Sequence, residues 1–109
     1  MDINEKEDIL PVLIEKLSND FSFEKKNLPA QSDLSLIREH LKGKVAVMLE
    51  KNYERLLNNL YRIDVDEEKL NTALKATDPA ELPSVIADMI IERQMQRIRT
   101  QILYKQGKL

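Results

Sequence analysis

A chain of 109 residues is long enough for one domain with one hydrophobic core and too short for two independent ones. Apolar residues make up 42% of it but aromatic residues only 5%, and with two glycines and four prolines long helices are favoured over many short strands. The absence of cysteine excludes disulfide bonds and thiolate chemistry, and a net charge of -2 indicates neither a nucleic-acid binder nor an acidic tail.

Charge is distributed in four blocks along the chain. Acidic residues number 8 against 4 basic ones in residues 1–33, 3 against 6 in 34–63, 8 against 2 in 64–92 and 0 against 5 in 93–109. The blocks therefore carry -4, +3, -6 and +5. Blocks of alternating sign can pair within a folded helical protein or across a dimer, although an exposed pair contributes only about 0–1 kcal/mol.

Neither a signal peptide nor a membrane span is predicted. The N-terminal residues are acidic and polar rather than basic and apolar. No stretch approaches the ~20 apolar residues of a membrane-spanning helix. A cytoplasmic location without membrane association is therefore expected.

The first predicted helix begins at about Asp8 and ends at Phe21. Asp8 is placed to cap its first turn, and Pro11 lies close enough to the start to be tolerated. The apolar residues between them recur at helical spacing. A short first helix follows from this pattern.

A long central helix is predicted at residues 33–63, after a loop at residues 22–32 that ends near an N-cap at Ser32 or Asp33. The stretch has no proline, and its apolar residues recur every three or four positions, on one side of a helix. At 1.5 Å per residue it would extend about 45 Å. Gly43 predicts either a kink or close helix contact, or a tolerated surface glycine. The apolar positions are Leu34, Ile37, Leu41, Val45, Met48, Leu49, Tyr53, Leu56, Leu60 and Ile63.

Helix start signals follow the central helix. Asp66 is a good N-cap, and two glutamates follow it in the first helical turn. Together they predict a short third helix at residues 67–75. Asp78, followed by a proline, forms a second start signal. Pro83 then forces another start, after which a last helix is predicted at about residues 84–105.

The last helix carries an apolar seam at positions spaced four, three and four. This is the spacing of a coiled-coil contact, but it covers less than two heptads. It therefore predicts packing against one partner helix. The seam residues are Ile91, Met95, Ile98 and Ile102.

Charged residues four positions apart form ladders on both long helices, and each ladder is mildly self-repelling along its own helix. Ladders of opposite sign placed across from each other would relieve that repulsion and set the register between the helices, within one chain or between two. The hypothesis pairs Lys51 and Arg55 with Asp88 and Glu92, and Glu50 and Glu54 with Arg93 and Arg97.

Metal and catalytic sites are weighed against structural roles. The acidic residues at 64–68 resemble the start of a calcium loop, but Lys69 and Lys75 stand where an EF-hand requires glycine and glutamate. Helix capping accounts for the same acidic residues. His40, the only histidine, has no second ligand for a zinc motif, and no glycine-rich phosphate loop exists. No enzymatic activity, metal or cofactor is predicted.

The C-terminal half of the last helix is basic and rich in amides. Arg93, Arg97 and Arg99 could contact phosphates, and arginine and glutamine can read base edges from the major groove. No helix-turn-helix spacing precedes them, and positive charge near a helix C-terminus is favoured in any protein. Nucleic-acid binding is therefore the alternative function.

The expected fold is all-α, an irregular bundle of about four helices in a single domain over residues 1–109. Residues 1–32 either fold back on the bundle or form a partly independent helix and loop. The expected function is non-enzymatic, a protein–protein interaction or assembly module that presents an apolar stripe to a copy of itself or to another protein. Homo-oligomerisation is expected because few residues must cover a long helix. The candidate interaction residues are Lys51, Arg55, Asp88, Glu92, Ile91, Met95, Ile98 and Ile102.

Overall fold

Five α-helices make up the described part of the chain. The computed structural model describes residues 5–24, 28 and 33–107, with the backbone alone for residues 5–8. No strand occurs among these residues, so the predicted all-α class is confirmed. None of the five combines the length and the apolar composition of a membrane-spanning helix. In chain order they are α1 (Glu5–Phe21), α2 (Leu34–Lys51), α3 (Tyr53–Arg62), α4 (Glu67–Ala76) and α5 (Leu82–Lys105).

One cluster of buried apolar side chains lies between the helices, and every helix contributes to it. α2 and α5 make the most extensive contact among the described helix pairs, and α5 also contacts α1 and α4. The central element is therefore α5 rather than the helix predicted at residues 33–63. Core side chains at most 1% exposed include Leu17 of α1, Leu41 of α2, Leu60 of α3, Leu70 of α4 and Ile90 of α5.

The long helix predicted at residues 33–63 is interrupted, so its predicted continuity is wrong. Asn52 lies at φ -142° and ψ 52°, outside the helical region, and separates α2 from α3. A straight helix of the predicted length would extend about 45 Å, more than the longest principal extent of 41 Å. Asparagine is a weak helix former, because its side chain competes for backbone hydrogen bonds. The break lets α3 turn and bury Leu56 and Leu60 in the same core.

Two predicted N-caps are confirmed. Asp33, one of the two candidates for α2, accepts a hydrogen bond from Leu36 N at 2.9 Å. Asp66 accepts from Glu68 N at 2.9 Å and from Lys69 N at 3.2 Å at the start of α4. Each carboxylate satisfies backbone N–H groups that have no partner within the helix.

Two helices begin earlier than predicted. α1 begins at Glu5, so Asp8 lies inside the helix rather than at its cap, and Pro11 is inside it as well. α5 begins at Leu82, with Pro83 in its first turn. Proline fits the first turn because its missing N–H would have no helical partner there. The start of α5 therefore falls two residues before the predicted residue 84.

Gly43 lies in the middle of α2 without interrupting it. It is exposed, and a Cβ built on it would meet no atom of the described residues within 4 Å. Of the two alternatives, the structure shows a surface glycine with no close contact to another described helix.

Replacing Gly43 by alanine is expected to raise the free energy of unfolding by about 0.5–1 kcal/mol, because alanine loses less backbone entropy on entering a helix. Urea denaturation followed by far-UV circular dichroism measures the change. A loss of stability would show that a side chain at this position is not accommodated.

The turn between α3 and α4 is a Schellman motif with Asp64 in the left-handed region, at φ 65°. Asp64 N–H donates to Tyr61 O at 3.0 Å, and Val65 N–H donates to Leu60 O at 3.1 Å. Leu60 and Val65 are both buried, as the apolar pair of this motif commonly is. Glycine is the usual residue where Asp64 stands.

Replacing Asp64 by valine is expected to lower the free energy of unfolding by about 1–2 kcal/mol, because a β-branched side chain is strained at positive φ. Asp64→Gly is the matched control. It relieves the backbone strain and loses only a weak surface ion pair, so its stability is expected to stay within about 0.5 kcal/mol of the natural chain. Thermal and urea unfolding of both variants test this. Equal losses in the two would argue that the carboxylate, not the backbone, matters here.

Candidate interaction surface

Arg93, a candidate for phosphate binding, makes its contacts inside the protein. Its Nε donates to Ile63 O at 2.8 Å, and its Nη2 lies 3.7 Å from Asp64 Oδ2. The side chain is 32% exposed. Ile63 O stands at the end of α3, where helix carbonyls lack partners within the helix. Arg93 therefore ties the end of α3 to α5.

Gln94 is a fully buried polar side chain between α1 and α5, 0% exposed. Its Nε2 donates to Asp20 Oδ2 at 2.7 Å, and its Oε1 accepts from Arg97 Nη1 at 3.0 Å. Arg97 Nη1 also lies 3.8 Å from the same Asp20 oxygen. Donor and acceptor of the amide are both satisfied, which removes most of the cost of burying it.

The burial of Gln94 was missed by sequence reasoning, which assigned it to an amide-rich surface. The signal that could have found it is its position four residues after Ile90 and four before Ile98, two core residues of α5. Residues at this spacing share one side of a helix. A glutamine in that row predicts a buried amide with partners on another helix.

These contacts bear on the nucleic-acid alternative. Arg93 and Arg97 are each about one-third exposed and engaged within the chain. Arg99, the third candidate, is exposed and has a partner of its own. Binding of phosphates would have to replace the hydrogen bond from Arg93 to α3 or the ion pair between Arg97 and Asp20 of α1. Nucleic-acid binding stays a prediction that the geometry does not favour.

Asp88 pairs with a different residue from the one hypothesised. Arg38 of α2 donates from Nη2 to Asp88 Oδ2 at 3.0 Å and from Nε to the other carboxylate oxygen. The hydrogen bonds from Arg38 to Asp88, and then the charge of Asp88, raise the pKa of Arg38. The contact joins the first halves of α2 and α5, more than a helical turn away from Lys51.

The charge ladders therefore do not pair within the chain as hypothesised. Arg55 Nη2 donates to Ser22 Oγ at 3.3 Å, and none of the ion pairs in the described residues joins Lys51 or Arg55 to Asp88 or Glu92. The second pairing, of Glu50 and Glu54 with Arg93 and Arg97, is not formed either. The two arginines contact Ile63 O, Asp64 and Asp20 instead. The physical reason is the register between α2 and α5, since Arg38, thirteen residues before Lys51, is the residue of α2 that lies against Asp88. Pairing between two chains stays a prediction.

The apolar seam of α5 belongs largely to the protein's own core. Ile91 and Ile98 are 8% and 1% exposed. Met95 and Ile102 are half-buried and pack against the same core. An apolar surface for a partner would therefore have to lie elsewhere.

Two exposed aliphatic side chains lie on one side of α2. Leu36 is 37% and Val47 52% exposed, and the exposed His40 and Gly43 lie between them. These four residues, which we name the α2 flank, are spaced four, three and four positions apart and so share one side of the helix. The same spacing defines the contact line of a coiled coil.

The α2 flank borders a shallow groove of about 240 Å³. His40, Gly43 and Val47 line one side, and the segment after α1 lines the other. Ser22, at φ 55°, turns the chain out of α1, and Phe23, 4% exposed, fixes the segment in the core. Because Gly43 has no side chain, the backbone of a partner can come close to α2 at this point.

A larger cleft of about 360 Å³ lies between the α3–α4 turn and α5, and three of the charged residues that line it are engaged. Asp64 pairs with Arg93, and Asp66 caps α4. Across residues 5–24, 28 and 33–107, no group of three or more histidine or carboxylate side chains is placed to hold a metal ion. The α2 flank is therefore the stronger candidate for recognition.

Comparisons of the chain with models of protein families, with curated proteins and with solved structures found no match. Its function is therefore inferred from the surface described above.

Proposed function

We propose that this protein is a non-enzymatic interaction module that binds a helix of another polypeptide chain through the α2 flank. The observation that carries the proposal is the pair of exposed aliphatic side chains, Leu36 and Val47, at coiled-coil spacing on either side of Gly43. Isolated exposed apolar residues are normal on any protein. Leu36 and Val47 differ from isolated residues because they lie on the same side of one helix, three turns apart, and Val47 borders a groove.

A helix is the partner element that fits this surface. Recognition of a helix in a groove uses anchor residues three, four and seven positions apart, which match a straight apolar stripe. The α2 flank presents two apolar side chains, Leu36 and Val47, at the ends of such a row, with His40 and Gly43 between them. The groove beside it is open to solvent, so it suits a partner surface better than a small molecule, which needs an enclosing pocket.

Site-specific photo-crosslinking tests the proposal. The full-length protein carries a photoreactive phenylalanine derivative at Val47, and the matched control carries it at Thr72, an exposed residue of α4. Illumination of the purified protein and of a lysate of the native cell is expected to give defined adducts from position 47 only. Adding Leu36→Asp to the position 47 variant is expected to abolish them. Adducts of equal yield from both positions, or from neither, would contradict the proposal.

A further inference from the structure

We propose that the α2 flank binds a second copy of this chain, with the two α2 helices side by side and parallel about a two-fold axis. This inference rests on the proposed function and names its partner. A two-fold contact uses the same surface on both copies, so that surface must be complementary to itself. The charges beside the α2 flank and the glycine at its centre both meet that requirement.

Charges of opposite sign border the two sides of the α2 flank. Glu39 directly precedes His40 on one side, and Lys44 directly follows Gly43 on the other. In a parallel pair of helices with this spacing, flanking residues five positions apart face each other across the contact, and such pairs set the orientation. Glu39 would face the partner's Lys44, and Lys44 the partner's Glu39. An antiparallel pair would place each side against its own like charge instead.

Both charged groups are positioned to reach a partner. The Glu39 side chain is 56% exposed, and its contact within the chain is Arg38 Nη1 at 3.3 Å. Arg38 is held mainly by Asp88, so Glu39 keeps exposed oxygens for a further donor. Lys44 is half-buried and lines the groove beside Gly43.

Gly43 supplies the second argument. Among the described residues it contacts nothing that requires a glycine, since a Cβ there meets none of their atoms within 4 Å. Its position in a helix interior nevertheless costs stability relative to alanine. Between two parallel α2 helices, the two copies of Gly43 would face each other at the centre of the contact and let the backbones approach closely. The residue is then useful to the pair and costly to the single chain.

The length of the α2 flank sets the expected strength of association. From residue 36 to residue 47 the stripe extends about 17 Å along the helix. An interface of this length falls at the small end for protein complexes, below about 1,200 Å² of total buried surface. Dimerisation is therefore expected to be weak and to depend on protein concentration.

Analytical ultracentrifugation of the purified full-length chain over a wide concentration range tests the inference. A monomer–dimer equilibrium is expected. Lys44→Glu places like charges opposite each other at two points of the symmetric dimer. It is expected to weaken dimerisation by about tenfold. The double variant Glu39→Lys, Lys44→Glu restores opposite charges and is expected to return to within about threefold of the natural chain. Lys75→Glu, the same charge change on exposed α4, is the matched control and leaves dimerisation unchanged.

Gly43→Ala separates dimerisation from folding. The variant is expected to weaken dimerisation by about tenfold, because two facing methyl groups push the helices apart, while its unfolding midpoint rises. A weaker dimer with a less stable fold would show an effect on folding alone and would overturn this use of Gly43.

Failure of this inference is distinguishable from failure of the proposed function. A purified chain that stays monomeric at all concentrations, or a dimer unaffected by Lys44→Glu, overturns the second copy as partner. If the position 47 crosslink then joins a different polypeptide, the proposed function stands without this inference. A position 47 adduct with the mass of two chains supports both, and no specific adduct overturns both.

Discussion

Replacing Leu17 by alanine is expected to lower the free energy of unfolding by about 2–5 kcal/mol. Leu17 belongs to α1, is 0% exposed and lies in the core cluster to which all the helices contribute. Removing its side chain leaves a cavity that the surrounding core closes only in part. Urea denaturation followed by far-UV circular dichroism measures the loss.

Val12→Ala is the matched control for Leu17→Ala. Val12 lies on the same helix and is 40% exposed, so its replacement is expected to change stability by no more than about 0.5 kcal/mol. Both variants are expected to unfold in one transition, because α1 and α5 share the core. A separate early transition for α1, with a small effect of Leu17→Ala on the rest, would show instead that residues 1–32 form a partly independent unit.

Replacing Asp20 by alanine is expected to lower the free energy of unfolding by about 1–3 kcal/mol, because it leaves the buried Gln94 Nε2 without an acceptor. Gln94 is fully buried, so water cannot replace the lost carboxylate without entering the contact between α1 and α5. Arg97 loses its nearby carboxylate at the same time. Thermal and urea unfolding measure the loss.

Asp20→Asn separates the hydrogen bond from the charge. The asparagine carbonyl can still accept from Gln94 Nε2, so most of the stability is expected to return. The remaining deficit, about 0–1 kcal/mol, reports the attraction between Asp20 and the partly exposed Arg97. If both variants lost the same stability, the charge rather than the hydrogen bond would hold α1 on α5.

Local signals in the sequence predicted much of the fold. The caps at Asp33 and Asp66 were predicted because an N-cap depends on residues within three positions of the helix start. Pro83 correctly predicts a helix start nearby, but the helix begins before it rather than after it, so Pro83 lies inside the first turn of α5. The break at Asn52 was not predicted, because the apolar period continues across it on both sides. One long helix and two successive helices differ here only in the backbone conformation at Asn52, which the apolar period does not reveal.

The candidate surface was less predictable than the fold. The sequence places Leu34 and Tyr53 in the apolar stripe of the predicted central helix, yet they are 37% and 42% exposed. Leu36 and Val47 were not part of that stripe, and they form the surface that a partner can reach. Exposure of a side chain depends on where the other helices end and cross, which the helical period of one segment does not contain.

The features of this protein therefore fall into two groups, according to whether the sequence or the tertiary structure determines them. The sequence by itself determined the helical class, the approximate positions of most helices and the caps at Asp33 and Asp66, because these depend on side chains within about four positions of each other. The tertiary structure alone decided that Arg93 holds Ile63 O, that Gln94 meets Asp20, and that one flank of α2 is left uncovered. The two hydrogen bonds join residues that are 30 and 74 positions apart in the sequence, so they exist only after the helices have packed.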